Sequence, residues 1–121
     1  MLDFVFNAAQ NHENSAKVVL VNDLKELNNQ RLVKIAGKQR IDTLQKLVCS
    51  EELRNETGVS LKTYIDGTAT ILYVCGQASP LKSGAAVYAL IKKYMYADVY
   101  VSGDFDVRFA EKLLIGMENA N

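Results

Sequence analysis

The dipeptide Asp66-Gly67 separates two runs of alternating polarity, and no other feature constrains the fold of this chain as tightly. Before it, Val59, Leu61, Thr63 and Ile65 alternate with Ser60, Lys62 and Tyr64. After it, Thr68, Thr70, Leu72 and Val74 alternate with Ala69, Ile71, Tyr73 and Cys75. Asp-Gly supplies the two residues of positive φ that a type I′ turn requires, and the twist of that turn suits the strands it joins. Closure by two residues sets Leu61 opposite Leu72 and Val59 opposite Val74. The hairpin therefore carries an apolar face that the rest of the chain must cover.

The material for that cover lies on both sides. Ser79-Pro80 opens a helix expected to run to about Tyr94, with Pro80 at the first position, where no N–H is needed, and Lys92-Lys93 at the negative end. Its run from Gly84 to Ile91 is apolar around much of the circumference, so it needs contacts on more than one side. Residues 98–102 read as a strand, and Val107, Ala110, Leu113, Leu114 and Met117 recur at helical spacing. Upstream, Arg31–Ala36 reads as a strand stopped by Gly37, and Ile41, Leu44, Leu47 and Val48 mark a helix ending in the region of Gly58. Lys17–Val21 and Leu2–Phe6 read as strands, and 23–30 as a short helical turn. Joining 23–36 into one helix is a rival reading, which Asn28-Asn29 opposes. The expected class is α+β in one domain. Residues 31–102 follow a ferredoxin-like β-α-β-β-α-β order, with N-terminal strands and an added C-terminal helix.

Composition excludes several classes. With 49% hydrophobic and 23% charged residues among 121, the chain is neither disordered nor collagen-like. The N-terminus lacks a basic segment followed by a long apolar one, and no window approaches 18 uncharged apolar residues, so neither a signal peptide nor a membrane span is expected. A cytoplasmic location follows as an expectation, and the Asn55-Glu56-Thr57 sequon is read as chance. Cys49 and Cys75 form no CxxC, and with His12 as the single histidine no Cys/His zinc site can be assembled. No metal site and no cofactor fingerprint emerge. Balanced charge, 14 bases against 14 acids, argues against broad coating of nucleic acid.

The bases nevertheless cluster. Between Arg31 and Lys46 there are five, with Asp42 the one acid. Within this stretch Gly37, Lys38 and Arg40 stand where a strand is expected to meet a helix N-terminus, an arrangement that favours a phosphate-bearing ligand. The plainer reading is a solvated basic loop, and the spacing is not that of a P-loop. A second strand-to-helix junction, Cys75-Gly76-Gln77-Ala78-Ser79, offers Gln77 and Ser79 to the same kind of ligand. Cys75 shares its face with Tyr73 and Ile71 and is read as a buried structural thiol rather than a nucleophile. Ser79 is read first as a helix cap, and His12 as a surface residue.

Two further groups complete the inventory. Asp104 and Asp106 follow the last strand and are suited to holding Mg²⁺ for phosphoester chemistry. Over about ten residues Ser102-Gly103-Asp104 is similar to a strand-end segment of NYN/PIN-type nucleases. That family has further acids on earlier strands, which are not identifiable here, and helix capping is the preferred role. Five of the six tyrosines fall between positions 73 and 100. Tyr94, Met95, Tyr96 and Tyr100 suit either an interface or a core built without tryptophan. The leading expectation is a non-catalytic, homo-oligomeric module that binds a phosphate-bearing small molecule such as a nucleotide. The alternatives are a metal-dependent phosphoesterase or nuclease using the Asp104/Asp106 pair, a nucleic-acid binder using 31–46, and an assembly protein without a small ligand.

Overall fold

The computed structural model describes residues 2–7, 16–50, 59–76, 79–93, 97–103 and 107–119. In chain order the elements are β1 (Leu2–Asn7), β2 (Lys17–Val21), a 3-10 helix (Leu24–Asn28), α1 (Gln30–Ala36), α2 (Lys38–Ser50), β3 (Val59–Ile65), β4 (Thr68–Val74), α3 (Pro80–Lys93), β5 (Asp98–Gly103) and α4 (Val107–Asn119). The described strands form one five-stranded mixed sheet in the order β1-β5-β2-β4-β3.

The hairpin has the register that its turn dictates. Asp66 and Gly67 hold φ of 52° and 77°, Leu61 pairs with Leu72, and Val59 pairs with Val74. Beyond the hairpin, β2 runs parallel to both β4 and β5 and lies between them. All five of its residues are buried, as the continuous run Val18-Val19-Leu20-Val21 requires of a strand covered on both faces. Each of these side chains contributes about 1.5–3 kcal/mol by leaving water.

Helices therefore cover both faces of the sheet. Val18, Leu20, Ile71, Tyr73, Cys75, Val99 and Val101 pack with Val87 and Ile91 of α3 and Leu113 and Met117 of α4. Val19, Val21, Leu72 and Val74 pack with Leu32 and Ala36 of α1 and Ile41 and Leu44 of α2. Parallel crossovers are right-handed, so a chain that reverses its direction of travel across a sheet must change faces. Here the β2–β4 connection carries α1 and α2, and the β4–β5 connection returns past β2 carrying α3.

The α+β class holds, whereas the ferredoxin-like order does not. Arg31–Ala36 is not a strand but most of α1. Leu32 and Ala36 are buried four residues apart, Val33 and Ile35 pack beside them, and Arg31 and Lys34 are exposed, a helical division of the same six residues. The Asn29 side chain accepts from the Arg31 N–H at 2.9 Å and starts this helix. The Asn28-Asn29 pair does interrupt the helical stretch: a 3-10 turn lies on one side and α1 on the other. The first strand of the parallel core is instead Lys17–Val21, and the sheet is mixed rather than antiparallel. The expected continuation of α2 toward Gly58 lies outside the described residues. Among the described residues no helix is long and apolar enough to cross a membrane.

Candidate functional site

Gly37 ends one helix and begins the next. Its φ of 95° is a conformation that side-chain-bearing residues seldom adopt, its N–H donates to the Val33 carbonyl, and its carbonyl accepts the first bond of α2, from Ile41. The junction expected between a strand and a helix is thus a corner between two helices. With glycine at the corner, no side chain is available there to cap the first N–H groups of α2.

That corner faces the β3–β4 turn across a cleft of about 330 Å³ lined by Ala36, Gly37, Gln39, Arg40, Ile65, Asp66 and Thr68. Among the described lining residues Arg40 is the cation and Asp66 the anion. One of the Arg40 terminal nitrogens donates to the Ala36 carbonyl one turn back, and the guanidinium carbon lies 5.7 Å from the centre of the Tyr100 ring. Its Nε is buried and has no hydrogen-bond partner. An orphaned donor of this kind costs about 1–3 kcal/mol and calls for an explanation.

Beneath the cleft the sheet carries polar residues where an apolar core is expected. Strand register aligns Thr63, Thr70, Lys17 and Asp98 in one row across β3, β4, β2 and β5. By alternation the row lies on the face covered by α1 and α2, since Leu72, Val19 and Tyr100, two residues further along their strands, pack in that cluster. Lys17 donates to Asp98 at 2.6 Å. Thr70 is fully buried, and its hydroxyl has no partner.

The expected ligand residues do not form one site. Gly37 and Arg40 share the cleft, while Lys38 is exposed and does not line it. Ser79 stands at the residue before α3, its carbonyl accepting from the Ser83 N–H at 2.9 Å. It lies beyond the other end of β4, whose seven residues span about 20 Å. Tyr100 is half-buried under Arg40. Gln77, Tyr94, Met95, Tyr96, Asp104, Asp106 and His12 lie outside the described residues. Sequence reasoning did not bring Asp66 and Thr68 to this cleft, nor Thr70, Lys17 and Asp98 into one row of the sheet. The one available signal was the matched pair Ala16-Lys17-Val18 and Ala97-Asp98-Val99, opposite charges set at equivalent points of two apolar strands.

A second place of interest is the edge where the parallel strands end. Cys75 and Gly76 donate to the carbonyls of Val21 and Asn22 at 2.8 and 2.7 Å, which carries the β2–β4 pairing past the strand ends. Asp23 follows β2 there, and its carboxylate accepts from the Lys25 N–H at 2.7 Å. Chains leaving β4 and β5 turn to one face and the chain leaving β2 to the other, the arrangement that opens a crevice in α/β sheets. Cys75 is completely buried, and burial pushes its thiol up to about 11, an effect that the neighbouring Ser83 hydroxyl partly offsets. Burial also raises the Tyr73 hydroxyl, with Cys75 adding to the effect. Among the described residues no cluster of three or more His, Cys, Asp or Glu is placed to hold a metal ion.

Compared with protein-family models, with curated proteins and with solved structures, the chain matches none.

Proposed function

We propose that this chain is a non-catalytic binding module for a phosphate-bearing small molecule of mononucleotide size, held in the cleft between the α1–α2 corner and the β3–β4 turn. The orphaned Nε of Arg40 is the observation that carries this reading. It is a charged donor without an acceptor, set beside the glycine-led start of a 13-residue helix, and a phosphate oxygen suits both. The volume of about 330 Å³ lies at the lower end of the range for small-molecule pockets and suits one compact ligand. Titration calorimetry with inorganic phosphate and adenosine monophosphate tests it. Saturable binding that weakens at least tenfold in Arg40→Gln is expected. No binding to the wild-type protein, or equal binding to the variant, overturns it.

In the same reading the module is a homo-oligomer, with Tyr94, Met95 and Tyr96 at the contact. Light scattering on the eluted protein tests this, and a monomer overturns it. An oligomer without affinity for any phosphate compound would instead favour a purely assembling protein.

A second reading, metal-dependent phosphoester chemistry at the opposite edge, is favoured by the crossover change at β2 and by Asp23 at its end. It requires turnover of a phosphoester with Mg²⁺ or Mn²⁺ that disappears in Asp23→Asn and in Asp104→Asn.

A further inference from the structure

We infer that the anionic group of the ligand is bound beneath the first turn of α2, between Arg40 and Thr70, rather than on the exposed Lys38 side of that turn. The inference rests on the cleft reading above and adds the residue that completes the site. Arg40 Nε, a donor, and Thr70 Oγ1, able to donate or accept, are both orphaned on the side of the sheet that α2 covers. Thr70 has no exposed surface, and its neighbours in register are Thr63 and Lys17. It stands two residues inward of Thr68, which lines the cleft, so both side chains project to the face under α2.

Arg40 reaches over this ground. It lines the cleft beside Thr68 on β4 and lies against the Tyr100 ring on β5, and in strand order β2 runs between those two strands. In the row Lys17 pairs with Asp98, while in the cleft the half-buried Arg40 is accompanied by the exposed Asp66. One phosphate oxygen accepts from Arg40 and another from the Thr70 hydroxyl once the guanidinium swings from the Ala36 carbonyl toward the cleft. The ligand thus supplies the acceptors that the protein lacks.

Thr70→Val separates this from a structural role, because valine has nearly the shape of threonine without the hydroxyl. Binding of inorganic phosphate to Thr70→Val is measured by calorimetry, and urea unfolding is measured without phosphate. The expected result is at least a tenfold loss of phosphate affinity in a variant as stable as the wild type or more so, since removing an unsatisfied hydroxyl lifts a penalty. Unchanged affinity in Thr70→Val, with affinity lost in Arg40→Gln, overturns this inference and leaves the cleft reading intact. Should Thr70→Val lose stability as well as affinity, Thr70→Ser, which restores the hydroxyl, decides. Recovered phosphate affinity supports the hydroxyl contact, and persistent loss overturns it. Absence of phosphate binding by the wild-type protein overturns the cleft reading itself.

Discussion

Lys17 and Asp98, 81 positions apart in the chain, begin adjacent parallel strands and meet at 2.6 Å with almost no solvent around either side chain. The Asp98 N–H also donates to the Ala16 carbonyl at 3.0 Å, so main chain and side chains lock β5 to β2 at the same level. Buried pairs of this kind gain little over well-packed apolar residues, yet losing one partner strands the other charge.

Breaking this pair singly is therefore expected to be expensive and replacing it whole to be cheap. Lys17→Met and Asp98→Leu should each lose about 3–5 kcal/mol. The double replacement Lys17→Met/Asp98→Leu should lie much closer to wild type. Urea unfolding of the four proteins gives the coupling energy directly, and additive losses would show that the pair does not act as a unit.

Helices α3 and α4 touch through backbone. A Cβ on Gly84 would collide with the Leu113 carbonyl and stand 3.0 Å from the Gly116 Cα, and one on Gly116 would stand 2.6 Å from the Leu81 carbonyl. Gly84→Ala and Gly116→Ala are each expected to cost about 1–3 kcal/mol through overpacking, despite the better helix propensity of alanine. Because both act on one interface, the double variant should lose less than the two together. Thermal and urea unfolding check this.

The two thiols should differ sharply in reactivity. Cys49 is exposed and Cys75 is buried, so a thiol reagent at pH 8 should modify Cys49 in the native protein and Cys75 only after unfolding. Equal rates would contradict the burial of Cys75.

The same burial predicts a pH effect on stability. With the Cys75 thiol raised from about 9 to about 11 in the fold, the unfolded chain releases this proton first as pH rises. Stability from this group is fully present below pH 9 and is lost progressively between about pH 9 and 11, on the order of 2 kcal/mol. Cys75→Ala should remove this part of the alkaline loss while costing packing energy at every pH. Unfolding curves at pH 8, 9, 10 and 11 measure it.

At the turn, Gly67 has open space around it and a φ of 77°, so the cost of Gly67→Ala is one of backbone conformation alone, about 1 kcal/mol. Asp66→Asn keeps a residue tolerant of φ near 52° and should be neutral, whereas Asp66→Val should be the worst of the three. Hydrogen-exchange protection in β3 and β4 and urea midpoints report both effects.

Much of the local structure was legible in the residues. The hairpin, its register, the Pro80 start of α3, the buried Cys75 and the helical spacing of Leu113 and Met117 all depend on interactions within a few positions or on one apolar stripe. Arg31–Ala36 was not legible, because a short apolar run with β-branched Val33 and Ile35 suits a strand, and six residues are too few for the helical spacing of its two bases to decide. Neither β pairing nor helical packing is favoured until the position of Lys17–Val21 is known. Of the site, Gly37 and Arg40 were legible as glycine and charge, and their partners were not. Asp66 and Thr68 read as turn and strand, and Thr70 as one more β-branched strand residue.

By itself the sequence determined the turn, the caps and the faces of individual elements, since dihedral preference, capping and side-chain alternation act over a few residues. Only the tertiary structure decided that β2 lies between β4 and β5, that helices cover both faces, and that Arg40 meets the β3–β4 turn rather than Ser79. Those outcomes rest on pairing between segments tens of residues apart. There the driving force is burial of apolar area, which is nondirectional and is resolved only when every strand and helix competes for the same sheet.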